Sequence, residues 1–257
     1  MAADLLAEVS KTVATLPRTL RLSAVTCAPN FETQKYLQMK KRRAALAGIT
    51  LNVVELPEEA TTEQAIACVE AVAKDSEGVV VQLPLPAQID REAVLAAVPV
   101  KKDPDGFQYG KVDGACLPPV VGAIDEMSRK YNIQWEGKCV VVLGDGRLVG
   151  KPALVYALGR CADAPIVTRE NSAELLPDAD ILISGIGQPH YITPDMLKEG
   201  VVVFDAGTSE EGGELVGDVH PDVADKAALF TPVPGGIGPM TIACLLRNVV
   251  ILARQYK

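Results

Sequence analysis

Histidine is nearly missing from this sequence: His190 and His220 are the only two. A zinc site built on imidazole ligands is therefore not expected. The six cysteines, Cys27, Cys68, Cys116, Cys139, Cys161 and Cys244, include no CxxC pair and mostly sit in apolar runs. They read as core thiols of a protein in a reducing compartment, the cytoplasm, and not as a disulfide framework. No apolar run approaches the roughly 20 residues of a membrane span. The opening stretch MAADLLAEVSKTVATLPRTL lacks the basic region, apolar core and cleavage site of a signal peptide, and reads as an ordinary amphipathic first helix. Positive charge is not in excess either. The formal net charge is −8, which argues against a nucleic-acid partner and favours solubility.

What is present is the balance of a globular protein: 257 residues, 48% hydrophobic and 23% charged, enough for one large domain or two modest ones. Short apolar runs alternate with helical patterns. LRLSAVTC (20–27), LNVVEL (51–56) and GVVVQLPLP (78–86) read as strands, separated by helical segments at 31–47 and 62–75. Thr61 and Asp90 stand where helix caps are needed. From Cys139 the alternation starts again: CVVVLG, APIVT, ADILISGIG, VVVFDAG and ALFTPVP as strands, with KPALVYALGR as a helix among them. TPDMLKEG reads as a short helix capped by Thr193, with Pro194 in its first turn. Such alternation predicts an α/β fold with parallel sheets covered by helices on both faces. A domain change is expected near 116–138, giving a first domain over 1–118 and a second, Rossmann-type domain over 119–238. The long apolar-rich helix over 239–257 is expected to pack back on the first domain.

Three stretches carry chemistry. In CVVVLGDGRLVGKPA (139–153), a strand runs into Gly144-x-Gly146-x-x-x-Gly150 and then a helix. Glycine lets backbone approach a ligand closely, and a helix N-terminus offers free N–H groups to phosphate oxygens, so the loop predicts a dinucleotide site. Glu170 lies 20 residues beyond Gly150, where an acid commonly accepts from the ribose 2′-hydroxyl of NAD. Asp145 adds a second negative charge, while Arg147 and Arg169 could reach a phosphate. Each of the four also reads as a solvated loop charge.

In TQKYLQMKKRRAALAGI (33–49), Tyr36 and Lys40 are four residues apart and share a helix face, a plausible proton-transfer pair. The neighbouring Lys41, Arg42 and Arg43 would depress the pKa of Lys40. The same segment also reads as a basic, solvent-facing helix. In VQLPLP (81–86), Gln82 sits where an apolar strand ends and prolines stop the ladder. KKDPDGF (101–107) packs Asp103 and Asp105 into one turn. TPVPGGIGPMT (231–241) is a side-chain-poor loop leading into a helix, open to close approach by a ligand.

Occurring together and in this order, these motifs, with ADILISGIGQP and VVVFDAG followed by LVGDV, resemble the bifunctional methylenetetrahydrofolate dehydrogenase/methenyltetrahydrofolate cyclohydrolases, the FolD family. The resemblance runs from about Pro17 to the C-terminus. It implies two α/β domains with an active-site cleft between them, commonly in a homodimer, with tetrahydrofolate derivatives as substrates and NADP as cofactor. By matching position it implies catalytic roles for Lys40, Tyr36, Gln82 and Asp105. Folate contacts fall on Tyr36, Gln82, Leu83, Pro84, Asp105, Pro234, Gly235 and Gly236. Cofactor contacts fall on Gly144, Asp145, Gly146, Arg147, Gly150, Arg169, Glu170, Gly187, Thr208 and Gly236.

The chemistry implied is hydride transfer from 5,10-methylenetetrahydrofolate to nicotinamide, then attack of water on the methenyl carbon to give 10-formyltetrahydrofolate. Lys40 would manage the proton transfers, Gln82 would set its state, and Tyr36 would pack on the folate. The sequence departs from the family where GRSxxVGxP is usual: Asp145 and Gly146 replace the arginine and serine that favour NADP, which opens the site to NAD. Two other readings keep the fold: a cyclohydrolase with a weakened cofactor site, and a non-catalytic folate-binding or regulatory protein.

Overall fold

Leu5, Leu6, Val9 and Val13 recur at helical spacing and form the buried stripe of α1 (Ala2–Ala14). The computed structural model describes residues 1–161, 165–167 and 172–255. After α1 come β1 (Leu20–Cys27), α2 (Phe31–Leu46), β2 (Ile49–Leu56), α3 (Thr62–Lys74) and β3 (Gly78–Val81). The three strands make a parallel sheet of order β2–β1–β3. All of β1 except Arg21 is buried, as is all of β3, because helices cover both faces of the sheet. The third strand stops at Val81, short of the expected 86, because Pro84 and Pro86 have no N–H to give a ladder.

Helix starts follow side-chain chemistry. Asn30 Oδ1 accepts from Thr33 N at 2.8 Å and begins α2. Thr61 and Gln64 exchange the two bonds of a capping box at α3. Asp90 Oδ1 accepts from Ala93 N at 3.1 Å and begins α4 (Arg91–Ala96).

The chain divides into two compact units, Met1–Pro119 with Ile242–Lys257, and Val120–Thr241. The second unit holds α5 (Pro119–Lys130), β4 (Val140–Leu143), α6 (Gly150–Leu158), β5 (Ile166–Val167), α7 (Ser172–Leu175), β6 (Ile181–Ser184) and β7 (Val202–Asp205). A hairpin of β8 (Ser209–Glu211) and β9 (Glu214–Val216) follows, then β10 (Leu229–Thr231); α8 (Ile237–Gln255) comes last and from Ile242 belongs to the first unit. Five strands form a parallel sheet of order β10–β7–β6–β4–β5. From β4 the chain moves to one side for β5 and to the other for β6, so the switch point lies at the carboxyl end of β4, where such sheets bind ligands.

Two elements differ from the sequence-based expectation. TPDMLKEG yields only a 3₁₀ turn at Pro194–Met196, and the Thr193 hydroxyl donates to Asp195 Oδ1 at 2.6 Å instead of capping. The β8–β9 hairpin was not expected. It is short and largely exposed, and turns on Gly212 and Gly213, both at positive φ.

The first unit's main core gathers Leu20, Leu22 and Ala24 of β1 with Ile242, Leu245, Leu246 and Val249 of α8. Each fully buried leucine or valine there contributes about 1.5–3 kcal/mol relative to exposure. By length and apolar content α8 resembles a membrane span, yet 67% of its apolar window is buried inside the protein.

Candidate active site

Lys40 lies on α2 and Gln82 directly after β3, so both project from the carboxyl-end side of adjacent parallel strands. Lys40 Nζ donates to Gln82 Oε1 at 2.9 Å. The amide is oriented by its other end, since Gln82 Nε2 donates to Leu83 O at 2.9 Å and Gln82 N to Val25 O at 2.8 Å. Lys40 Nζ also stands 4.8 Å from the centroid of the Tyr36 ring, on the same helix face as the four-residue spacing requires. Asp105 is close enough for it and Lys40 to shift each other's titration.

Burial sets the charges. Lys40 is 8% exposed, and burial pushes its ammonium below the ordinary lysine value, with Asp105 opposing the drop. Burial raises the Asp105 carboxyl, and Lys40 opposes that rise. The Tyr36 phenol is pushed up to about 12, by burial first and Asp105 second, and so stays neutral at physiological pH. Lys41, Arg42 and Arg43 are exposed and are not among the causes of the Lys40 shift. The depression expected from neighbouring cations thus comes from desolvation, because those side chains face solvent while Lys40 faces the core.

The Asp105 turn is built by Asp103, which is 3% exposed. Its Oδ1 accepts from Gly106 N at 3.0 Å and its Oδ2 from Phe107 N at 2.8 Å. Burial, then the Asp105 charge, lift the Asp103 carboxyl to about 7 against those two donors. Gly106 is obligatory: its φ is +69°, and an added Cβ would lie 2.3 Å from Cys116 O. Leu83 is half-buried and Pro84 exposed, with a cis bond between them.

In the second unit the glycine loop leaves β4. An added Cβ on Gly150 would sit 1.9 Å from Gly144 O, so glycine there lets α6 start hard against the loop. Gly144 has φ +101°, and Gly146 is exposed with nothing closer than 3.9 Å to an added Cβ. Asp145 is exposed and Arg147 half-buried. Close helix approach, open backbone at Gly146 and a helix N-terminus at the sheet's switch point fit the phosphates of a dinucleotide. Arg169 and Glu170 lie outside the described residues.

Two buried carboxylates hold the neighbouring loops. Asp218 Oδ2 accepts from Ser184 Oγ at 2.7 Å and Ile186 N at 2.8 Å, and its Oδ1 from Gln188 N at 2.8 Å. Asp205 accepts from Gly207 N (2.9 Å), Asp218 N (3.2 Å) and Val219 N (3.0 Å). Burial nevertheless raises Asp205 to about 6. Gly187, at φ +67°, and Thr208 are exposed on the two loops so fixed. Pro234 and Gly235 are exposed and Gly236 is buried, its N donating to Pro232 O at 2.7 Å. Among the described residues no cluster of three or more His, Cys, Asp or Glu could hold a metal ion.

Asp103 builds the turn that KKDPDGF suggests, while sequence reasoning missed the part played by Asp205 and Asp218 as loop builders. The DAG…GDV pattern was the available signal: a short acceptor next to glycine, where bare backbone N–H groups need one.

Comparison with known proteins fits this geometry. The tetrahydrofolate dehydrogenase/cyclohydrolase catalytic-domain model matches residues 1–105, and the NAD(P)-binding-domain model of the same family matches 118–257. The bifunctional protein FolD of Streptococcus gordonii is 40% identical over 239 residues, 88% of this chain and 84% of its own length. The crystal structure of the FolD methylenetetrahydrofolate dehydrogenase/cyclohydrolase of Campylobacter jejuni superposes with a TM-score of 0.95 at 30% identity, covering 100% of this chain and 96% of its own. The Trypanosoma brucei FolD, complexed with NADP cofactor and inhibitor, gives a TM-score of 0.91 at 32% identity over 100% and 96% of the two chains.

Proposed function

The chain belongs to the tetrahydrofolate dehydrogenase/cyclohydrolase family, and on that premise we propose how its residues divide the work. The enzyme acts in one-carbon folate metabolism, oxidising 5,10-methylenetetrahydrofolate to the 5,10-methenyl cation and hydrolysing that cation to 10-formyltetrahydrofolate. When bound, NAD(P) would supply the hydride acceptor. No side chain has to take the hydride, and the protein's share of that step is positioning.

Hydrolysis needs a proton carrier, and Lys40 is that group. Burial raises its neutral fraction, so it takes a proton from the water attacking the methenyl carbon. The ammonium so formed is held by Gln82 Oε1, at 2.9 Å. It returns the proton to N5 as the C–N5 bond breaks, and the hydroxyl proton leaves to solvent as the formyl group forms, so one proton is released overall. Tyr36, neutral throughout, packs on the folate, and Asp105 holds the pterin ring. Leu83, Pro84 and the backbone of Pro234, Gly235 and Gly236 complete the ligand contacts. The observation that carries this reading is a lysine held in the core with the neutral amide oxygen of Gln82 as its acceptor.

For the dinucleotide we propose NADP, bound at Gly144, Gly146 and Gly150 with Arg147 near its phosphates, and with Asp145 reducing selectivity over NAD. Gly187 and Thr208 contact the same ligand. A homodimer in the cytoplasm is the proposed working form. Light scattering at twice the 27.2 kDa chain mass tests the dimer.

The test of function is a paired assay of the purified protein. Methylenetetrahydrofolate oxidation is measured with NAD and with NADP, and methenyltetrahydrofolate hydrolysis is measured alongside. Both activities are expected, with hydrolysis lost in Lys40→Met. Full hydrolysis by that variant would overturn the role given to Lys40.

A further inference from the structure

Asn248 interrupts the apolar sequence of α8 and is 2% exposed. Its Nδ2 donates to two backbone carbonyls, Pro104 O at 2.9 Å and Leu117 O at 2.8 Å. These acceptors lie 144 and 131 residues away along the chain. They are also the two ends of one loop, brought within reach of a single amide nitrogen. Just inside them Gly106 lies against Cys116 so closely that a Cβ would meet its carbonyl oxygen at 2.3 Å. A loop of this length with its ends pinched together is an Ω-loop, and its neck contains Asp105.

We infer that Asn248 is a positioning residue for the hydrolytic reaction: its amide clamps the neck of the 104–117 loop and so holds Asp105 against Lys40. The carbonyl of Pro104 is in the peptide bond that leads into Asp105, so a shift there moves the carboxylate directly. Asp103 closes the turn from the other side through Gly106 N and Phe107 N, which leaves the turn little freedom while both clamps hold. An apolar residue at 248 would match its surroundings among Leu245, Leu246, Val249 and Leu252 better, but could donate to neither carbonyl. The charge of Asp105 opposes the burial-driven drop in the Lys40 pKa, so loosening the neck makes Lys40 easier to deprotonate.

The inference rests on the roles given above to Lys40 and Asp105, and the test separates the two. Asn248→Leu, Asn248→Ala, Asp105→Asn and, as a stability control, Val250→Ala are compared in the full-length protein. The measurements are kcat and KM for methenyltetrahydrofolate hydrolysis against pH, and thermal denaturation. For both Asn248 variants kcat/KM is expected to fall on the order of 10- to 100-fold, as for a small misplacement near the reacting groups. The acid limb of the profile is expected to move to lower pH, as in Asp105→Asn. Val250→Ala is expected to lower the melting temperature and leave the limb in place. If Asn248→Leu does not fold, Asn248→Gln keeps the donors on a longer arm and gives the same shift at smaller amplitude. Asn248 variants that melt early but keep the wild-type limb, while Asp105→Asn moves it, overturn the inference alone. An unmoved limb in Asp105→Asn overturns the role of Asp105 and the inference with it.

Discussion

Replacing Gln82 tests the proton-handling site with two substitutions of opposite sign. Gln82 Oε1 is 2.9 Å from Lys40 Nζ and is the acceptor that stabilises the ammonium. Gln82→Met removes it at nearly constant volume. A hydrogen bond to a charged group contributes about 1.5–3 kcal/mol. Losing it leaves burial less opposed, so the already depressed Lys40 falls further. Gln82→Glu places a carboxylate in the same position, and an opposite charge at such range raises a lysine. On the proposed role of Lys40 as the neutral base, its pKa sets the acid limb of kcat/KM for methenyltetrahydrofolate hydrolysis. The limb should move down in the methionine variant and up in the glutamate variant, with both rates reduced. Rapid-mixing spectrophotometry from acid to neutral pH would read it. Limbs that move in the same direction, or neither moving, would refute the pairing of Lys40 with Gln82.

Other consequences follow from the same geometry. Gly150→Ala forces a Cβ to within 1.9 Å of Gly144 O, so dehydrogenase activity should fall more than about 100-fold while hydrolysis by the other unit's residues persists. Asp145→Arg reverses a loop charge and should raise the NADP-over-NAD ratio of kcat/KM by about tenfold or more. An unchanged ratio would mark Asp145 as a solvated charge without a role. Lys40 titrates below its unfolded value of 10.5, so the wild type gains stability as pH rises from its depressed folded pKa toward that value. Lys40→Met should abolish this gain and raise the melting temperature near neutrality. The Asp103 carboxyl is raised from 3.8 to about 7 on folding, so its contribution is fully present below 3.8 and is lost as pH rises through about 7. Denaturation of the wild type against Asp103→Asn should therefore show a larger wild-type advantage at pH 5 than at pH 8. The opposite order would refute the burial of that carboxyl.

The elements that form the site were legible where periodicity and punctuation agree. The four-residue step from Tyr36 to Lys40, the end of an apolar strand at Gln82 and the spaced glycines after β4 are local signals, and local physics fixes them. The cause of the Lys40 shift was not legible. Sequence shows three cations beside it but not that they face water while Lys40 faces the core. Nor could sequence show what Asn248 touches, since both its acceptors are more than 100 residues away along the chain. At Thr193 the hydroxyl donates to a carboxylate two residues on and accepts from no backbone N–H of the turn, so the cap is not made.

The placement of α8 also orders events during synthesis. Its buried face completes the core over Leu20 and Leu22, yet it is made after both of the other strands of that sheet and the whole of the second sheet. Until α8 emerges, that face of the β1–β3 sheet is covered only in part, by α1 and α2. Val120–Thr241, an uninterrupted stretch, can complete its own fold during that interval. A nick or frameshift late in the message would therefore spoil the lysine-bearing unit made first and spare the glycine-loop unit made after it.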